Sequence, residues 1–268
     1  MLNPVFGITK NPFGKEVSSG EIFSSPSWEA ALKRVELLIK YRGIGIITGE
    51  AGTGKSTLIR LATQGFNPKA YRIVYICDTL LSEIDFLRTV AFGLGIEPPF
   101  HKGRLIRSIR DTLISDNERE RIHPILIIDE VQLLKTILLE QVRILTNFYM
   151  DSKDLLTTIL IGQPYFLGQL SLNINLPLRQ RISYLVRLSP LSHKDSLGYI
   201  YYRLKSCGIQ HEVFSESGLA AIYQASSGIP REINRIGFTA MSLAACCNQN
   251  TVSDDILTQA IEEMELRP

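Results

Sequence analysis

The feature that most constrains this chain is a glycine-rich loop that lies between an apolar run and a helix-forming run. The loop reads Gly49-Glu50-Ala51-Gly52-Thr53-Gly54-Lys55-Ser56. It follows the apolar segment 44–48 and opens the segment 55–64, which is predicted to be a helix. Strand, glycine-rich loop and helix in this order are the context that a phosphate-binding loop requires. The chain is therefore predicted to fold around a strand whose end binds the phosphates of a nucleotide.

Each residue type in this loop has a physical task. Glycines let backbone N–H groups turn toward phosphate oxygens, and the N-terminus of the following helix adds positive potential. We expect Lys55 to neutralise the β- and γ-phosphates of ATP and the Ser56 hydroxyl to ligate magnesium. The predicted ATP-binding residues of this segment are Gly49, Glu50, Ala51, Gly52, Thr53, Gly54, Lys55, Ser56 and Thr57.

An alternation of strands and helices continues beyond the loop and then stops. Further strands are predicted near 72–77, 125–128, 156–161 and 184–188, with helices between them, including one at 136–150 and one capped by Ser82. After Pro190 the periodicity is helical only, near 194–206, 215–227, 230–246 and 253–264. The predicted organisation is an irregular leader over residues 1–26, an α/β nucleotide-binding domain with a parallel sheet over 27–190, and a helical domain over 191–268.

Polar residues follow two of the predicted strands, where ligands bind in open α/β sheets. Asp129 ends one strand, and its carboxylate can hold magnesium through water. Glu130 comes next and suits the general-base activation of water, which an ATPase needs and a kinase does not. Gln163 ends another strand, where its amide could contact the γ-phosphate and the attacking water. A polar residue in a Gly-Gln-Pro turn explains Gln163 nearly as well.

Composition limits the class of protein but not the partner. No stretch reaches the roughly 18 uninterrupted apolar residues of a membrane-spanning helix, and the first residues lack a secretory signal, so a cytoplasmic location is expected. The four cysteines lack the spacing of a zinc site or a disulfide framework, and we interpret them as small core residues. The net charge of +2 neither requires nor excludes nucleic acid.

Beyond the loop, a set of segments along nearly the whole chain resembles the AAA+ ATPases, and more narrowly their ExeA-type branch. That branch includes an ATPase of type II secretion and ATPases encoded beside transposases. The matching segments are Asn11-Pro12-Phe13, the loop 49–56, Ile128-Asp129-Glu130-Val131-Gln132, Leu160-Ile161-Gly162-Gln163-Pro164, Leu178-Arg179-Gln180-Arg181-Ile182 and Gly228-Ile229-Pro230-Arg231-Glu232-Ile233-Asn234.

The resemblance implies a three-layer AAA+ core with a parallel sheet, followed by a helical lid, and roles that spacing alone could not show. Gln163 resembles sensor 1, and Arg231 resembles the sensor 2 arginine, which would contact ATP. Arg179 or Arg181 resembles the arginine finger, which acts on the nucleotide of a neighbouring subunit. Because residues two apart on a helix point to different sides, both are not expected to reach one phosphate. We favour Arg181, which fits the Gln-Arg-Ile step of the family better.

The resemblance also implies partners. Full-length secretion proteins of this type continue into a membrane helix and a periplasmic part, whereas this sequence ends at Pro268 after the lid. The chain is therefore most similar to the short transposon-encoded ATPases, relatives of IstB-, TnsC- and TniB-type proteins. That similarity implies an ATP-dependent ring or helical oligomer on duplex DNA that recruits a transposase, with no membrane partner. The alternatives are a secretion-system assembly ATPase that acts on envelope components and a small-molecule kinase, which Glu130 disfavours.

One basic segment is a candidate DNA-binding surface. Lys102, Arg104, Arg107 and Arg110 precede or occupy a predicted helix, and the three arginines at spacing three share one side of it. Such a row could contact DNA phosphates without sequence preference. An ordinary solvated helix face explains the same pattern, as it does for most basic runs.

Overall fold

The protein, a computed structural model, is described over residues 2–8, 10–14, 22–78 and 80–265. The chain divides into two compact units. We call one the helical unit, formed by Met1–Glu29, Gly52–Gly54 and Ser189–Pro268, and the other the sheet unit, formed by Ala30–Ala51 and Lys55–Leu188.

The sheet unit contains a 5-stranded sheet in the order β2-β3-β4-β1-β5. All neighbouring strands run parallel. Every residue of β1 and β4 is buried, as expected of central parallel strands with helices on both faces. The strands are β1 (Ile44–Gly49), β2 (Tyr71–Ile76), β3 (His123–Ile128), β4 (Thr157–Gly162) and β5 (Ile182–Leu188).

The α-helices of the described residues lie both before and after Leu188, the last residue of β5. Short 3-10 turns lie at Val131–Leu133, Tyr149–Asp151 and Asn173–Asn175, and a π-helical turn at Asp116–Glu120. The helices are α1 (Leu2–Phe6), α2 (Pro26–Tyr41), α3 (Lys55–Ala62), α4 (Glu83–Gly93), α5 (Lys102–Ser115), α6 (Thr136–Leu145), α7 (Phe166–Leu170), α8 (Leu176–Arg179), α9 (His193–Lys205), α10 (Glu216–Ser226), α11 (Pro230–Cys246) and α12 (Asp254–Glu265).

Helices cover both faces of the sheet. Ile44 and Ile46 of β1 point into an apolar core that contains residues of α4, α5 and α6. Gly45, between them, faces the other way, and a Cβ atom there would lie 2.2 Å from the Cδ2 atom of Leu38 in α2. The alternation of side chains along a strand thus places helices on opposite faces. This confirms the three-layer α/β core that the resemblance implied.

The prediction of one long helix at 136–150 is wrong in its last third. The helix α6 ends at Leu145, where the buried Thr146 hydroxyl donates to the carbonyl oxygen of Arg143 at 3.0 Å. Tyr149, Met150 and Asp151 then adopt left-handed backbone conformations. An α-helix cannot continue through such residues, so the chain turns before β4.

The leader is not irregular throughout. It forms α1, and Phe6, Ile8 and Phe13 are buried in the apolar core of the helical unit. Arg203 of α9 is buried as well and donates to the carbonyl oxygens of Pro12 and Gly14. Three large apolar side chains would be exposed if this segment stayed extended in water, and their burial explains its packing.

A substitution at Gly45 tests the close approach of α2 to the sheet. We expect Gly45→Ala to lower the free energy of unfolding by about 1–3 kcal/mol, because the added methyl group overpacks the contact with Leu38. In a protein of this size the thermal unfolding midpoint should fall by about 2–10 °C. The matched control is Gly168→Ala in α7, where an added Cβ has no atom within 4 Å and should leave the midpoint unchanged or slightly raised. Equal midpoints for both variants would contradict the packing.

Candidate functional site

The predicted phosphate-binding loop joins the end of β1 to the start of α3. Gly52 and Gly54 have φ values of +88° and +98°, which side chains other than glycine rarely adopt. Lys55 is buried, and its Nζ atom donates to the carbonyl oxygens of Gly49 at 2.8 Å and Glu50 at 2.9 Å. A lysine at the start of a helix places positive charge where the loop can bind an anionic ligand.

Two oxygen groups meet beside the loop as a magnesium site requires. The Ser56 hydroxyl lies 3.4 Å from Oδ2 of Asp129, which is 7% exposed at the end of β3. Hydroxyl and carboxylate oxygens are the ligands that magnesium prefers, and a pair close together can bind one ion. The predicted magnesium ligands Ser56 and Asp129 are thus brought together.

Tyr75 contacts the same carboxylate and was not identified from the sequence. Its hydroxyl donates to Oδ2 of Asp129 at 2.9 Å. Burial raises the pKa of Tyr75, and the hydrogen bond to Asp129 raises it further, so the phenol stays protonated and remains a donor. Tyr75 therefore fixes one oxygen of Asp129.

Glu130 follows Asp129 in a left-handed turn. Its φ is 51° and its ψ is 40°, and its N–H donates to Oδ1 of Asp129 at 2.9 Å. Asp129 is buried, whereas Glu130 is exposed. The turn thus leaves Asp129 buried and Glu130 exposed. The buried carboxylate is suited to bind a metal ion, and the exposed carboxylate is suited to act as a base on water.

Gln163 and Glu130 are linked through a third residue, Gln132. The N–H of Gln163, just after β4, donates to Oε1 of Gln132 at 3.1 Å. The Nε2 of Gln132 donates to the carboxylate of Glu130. Because β1, β3 and β4 are parallel neighbours, their carboxyl ends lie at one edge of the sheet. The structure therefore brings the end of β1, Asp129, Glu130 and Gln163 to the same edge.

The two candidate finger arginines lie at the opposite edge. Strand β5 pairs in parallel with β1, with Ile182 beside Ile44 and Leu188 beside Gly49. Arg179 and Arg181 precede β5, whereas the phosphate-binding loop follows β1. A strand of this length spans about 20 Å, more than an arginine side chain can cover. Neither arginine can therefore reach the phosphate-binding loop of its own chain.

Arg181 and Arg179 differ in their surroundings. The guanidinium of Arg181 contacts Oδ1 of Asp151 at 2.6 Å and donates to the carbonyl oxygen of Arg143 at 3.1 Å, and its side chain is 16% exposed. It lines a polar cavity of about 260 Å³ with Asp151, Asp154 and Gln180. Arg179 is exposed at the end of α8 and has no polar partner among the described residues. Arg181 is thus held within its own chain, and Arg179 is not.

Arg231 lies at the start of α11 in the helical unit. Its N–H donates at 3.3 Å to the carbonyl oxygen of Gly52, which belongs to the same unit. A Cβ atom on Gly52 would lie 2.6 Å from the Cβ of Arg231. The predicted sensor 2 arginine therefore starts its helix beside Gly52.

The basic residues of α5 are less available for contacts with DNA than the sequence indicated. Lys102 forms an ion pair with Glu83 at 2.7 Å. Arg110 donates to the carbonyl oxygen of Ile144 at 3.3 Å and lies over the Phe148 ring at 4.7 Å. Arg104 and Arg107 are exposed and have no polar partner among the described residues. Two of the four predicted DNA-binding residues are therefore occupied within the chain.

Paired substitutions test the different surroundings of the two arginines. Arg181→Ala should lower the free energy of unfolding by about 1–2 kcal/mol, because it removes an ion pair and a largely buried hydrogen bond. Arg179→Ala, on an exposed side chain, should change it by less than about 0.5 kcal/mol. Thermal unfolding of both variants measures the difference. Equal loss of stability in the two would contradict the anchoring of Arg181.

Comparisons with known proteins identify relatives of this chain by sequence and by fold. Residues 38–170 match the family described as "AAA domain". The chain is 33% identical over 271 aligned residues to General secretion pathway protein A of Aeromonas hydrophila. The alignment covers 100% of this chain and 49% of that protein, so the chain spans about half the length of this relative.

Solved structures share the fold at low identity. Cdc6p from Pyrobaculum aerophilum matches with a TM-score of 0.74 and 17% identity over 96% of this chain and 71% of that one. The Aeropyrum pernix ORC1 protein, solved in complex with DNA, matches with a TM-score of 0.67 and 16% identity over 93% of this chain and 68% of that one. The fold is thus the AAA+ P-loop fold. Within the described part of the chain, no helix is both long enough and apolar enough to cross a membrane.

Proposed function

We propose that this chain binds ATP and hydrolyses it with magnesium, since residues 38–170 match the family described as "AAA domain". One observation carries the proposal. The buried Asp129 carboxylate lies 3.4 Å from the Ser56 hydroxyl, and the exposed Glu130 carboxylate follows directly at the same strand end. A metal ligand and a general base are thus adjacent beside a phosphate-binding loop, as ATP hydrolysis requires.

Each residue of the site has a distinct task in this proposal. Lys55 and the backbone N–H groups of the loop bind the phosphates, and Ser56 and Asp129 hold magnesium. Magnesium held by these two residues would withdraw charge from the phosphate oxygens. Glu130 takes the proton from the attacking water, and the Gln163 amide orients that water against the γ-phosphate. Tyr75 keeps Asp129 in place by donating to its Oδ2.

The site is proposed to be completed by a second subunit. The phosphate-binding loop lies at the carboxyl edge of the sheet and Arg179 and Arg181 lie at the other edge. In this proposal each subunit donates an arginine to the next subunit and receives an arginine from the previous subunit. Such contacts are head-to-tail, and they generate rings or helical filaments. Arg231, at the start of α11, is proposed to contact the same nucleotide as its own phosphate-binding loop.

Two substitutions separate binding from hydrolysis. Lys55→Ala should abolish ATP binding, because the charge that neutralises the phosphates is lost. Glu130→Gln should retain binding and assembly but lower turnover by at least about 100-fold, the usual share of a general base. Equilibrium binding of a fluorescent ATP analogue and the rate of phosphate release measure the two properties. Unchanged hydrolysis by Glu130→Gln would remove Glu130 from its assigned role.

Mixed oligomers test the shared site and identify the finger. Oligomers of Lys55→Ala subunits alone and of Arg181→Ala subunits alone should both be inactive. A mixture of the two should regain activity, because an intact phosphate-binding loop then meets an intact arginine at some interfaces. The same mixture made with Arg179→Ala is the matched comparison. If only one arginine variant is inactive and it recovers on mixing, that arginine is the finger. Full activity of both arginine variants would contradict a shared site.

The partner is proposed to be an envelope component of a secretion system. The support is the 33% identity to a general secretion pathway protein along the whole chain, including the helical unit. In this proposal the ATPase cycle assembles and releases such a partner. The chain corresponds to about half of that relative, so the activity of the whole relative enters here only as a proposal.

Duplex DNA is the second candidate partner, with a transposase as the protein that the assembly recruits. Its support is the pair Arg104 and Arg107, which are exposed on α5. The fold is shared with an ORC1 protein solved in complex with DNA. The relatives reported above give no support to the transposase itself.

A DNA-retention experiment separates the two candidates. With ATP and magnesium at low salt, DNA binding predicts retention on plain duplex DNA that weakens as salt rises. The double substitution Arg104→Ala and Arg107→Ala should make the slope of log affinity against log salt shallower by about 2. The matched control removes two other exposed arginines, Arg34 and Arg119. Absence of retention would eliminate the DNA candidate and leave the envelope component.

A further inference from the structure

Gln132 is a buried amide that contacts two residues of the proposed hydrolytic site. It is 5% exposed and lies in the 3-10 turn Val131–Leu133, directly after the left-handed Glu130. Its Nε2 donates to the Glu130 carboxylate, and its Oε1 accepts the N–H of Gln163 at 3.1 Å. One side chain therefore connects the end of β3 to the end of β4.

The Gln132 amide makes both contacts at once, with its nitrogen as the donor and its oxygen as the acceptor. The N–H of Gln163 needs an acceptor, and the Glu130 carboxylate needs a donor, so the orientation of the amide is fixed by its two partners. An ionised glutamate at this position could accept but not donate, and an apolar residue could do neither. The residue type is thus matched to the two groups that it joins.

The surroundings hold the Gln132 side chain in place. The carbonyl oxygen of Gln132 accepts a hydrogen bond from Nε2 of Gln169 at 3.1 Å, which anchors the turn to α7. Gly162 leaves the space that the amide fills, since a Cβ atom there would lie 2.7 Å from Oε1 of Gln132. A side chain that is buried and contacted on several sides can hold an exposed partner in one orientation.

We propose that Gln132 is a positioning residue for ATP hydrolysis, which orients the Glu130 carboxylate and couples it to the strand end that carries Gln163. The inference rests on the proposed function, in which Glu130 is the general base. Glu130 is exposed, and without a fixed donor its carboxylate would sample several rotamers. With Oε2 held by Gln132, Oε1 remains available for the attacking water. The N–H donated by Gln163 fixes Gln132 in turn, so the base and the γ-phosphate sensor keep a constant separation.

The test compares variants of Gln132 in ATP turnover. Gln132→Met keeps the length of the side chain and removes both contacts, and kcat should fall by about 10- to 100-fold, the range for loss of a hydrogen bond to a charged group. The KM for ATP should stay within about twofold, because Lys55 and the glycine-rich loop, which are proposed to bind the phosphates, are unchanged. Gln132→Glu keeps the acceptor for Gln163 and loses the donor to Glu130, so it should be as slow as Gln132→Met. Wild-type rates in Gln132→Glu would overturn the assignment to Glu130.

A matched control measures how much kcat falls when a buried amide is lost elsewhere in the protein. Gln141 on α6 is 4% exposed and also donates to a glutamate, Glu83. Gln141→Met removes an equivalent contact away from the site and should leave kcat unchanged. An equal fall in kcat for Gln141→Met and Gln132→Met would show that both act through stability, and would overturn the inference.

A double-substitution cycle shows whether Gln132 acts through Glu130. In single-turnover phosphate release, Gln132→Met should have no further effect in a Glu130→Gln background, because the group that it positions is already disabled. An additional fall of the same size would overturn the inference while leaving the proposed function intact. Absence of hydrolysis by the wild-type oligomer would instead contradict the proposed function, and the inference with it.

Discussion

The site depends on one constraint, which is that all five strands of the sheet run in the same direction. Parallel strands bring their carboxyl ends to one edge, and each loop that follows a strand can add a side chain there. Residues far apart in the sequence, such as Ser56, Asp129 and Gln163, thus meet because the strands before them are hydrogen-bonded neighbours. The same constraint sends Arg179 and Arg181 to the other edge, since they precede a strand. The direction of the sheet therefore separates the proposed nucleotide-binding residues from the two arginines that are proposed to serve a neighbouring subunit.

At the carboxyl edge of the sheet, the backbone gives two adjacent carboxylates different environments. Asp129 ends a strand and stays buried, where Tyr75 and Ser56 reach its oxygens. Glu130 enters a left-handed conformation that turns its side chain toward solvent. Such a backbone costs about 1–2 kcal/mol in a residue with a Cβ atom, and the N–H that Glu130 donates to Asp129 helps to offset it. The difference in environment between the proposed metal ligand and the proposed base is therefore set by the main chain.

Much of this edge could be predicted from the sequence because the signals are local. The glycine-rich loop, the apolar strand before Asp129 and the capping residue Ser82 are each contained in a few residues, and the structure confirms the α/β core that they indicated. Tyr75 could not be predicted, because its contact with Asp129 requires that β2 be the neighbour of β3, and sequence does not reveal strand order. Gln132 was visible only as part of a matching segment. Its two contacts depend on the turn at Glu130 and on the pairing of β3 with β4.

The predictions that failed or changed involve tertiary packing. The helix predicted to reach Met150 ends at Leu145, and the turn that replaces it carries Asp151 to Arg181. An ion pair between residues 30 positions apart has no local signal. The leader similarly resembles a flexible segment in composition, and its order comes from apolar side chains that find a core far along the chain. Local pattern thus predicts where an element begins more reliably than which partner it meets.

Because the loop and the arginines lie at opposite edges of the sheet, the form of the oligomer determines how many complete sites it contains. On the proposed shared site, a closed ring of subunits contains as many complete sites as subunits, whereas an open filament always has one terminal loop without a donated arginine. The rate per subunit of an open filament would then rise with its length and approach that of a ring, and growth at one end would activate the subunit that it covers. Length itself would become a regulator of turnover, without any conformational change inside the subunit.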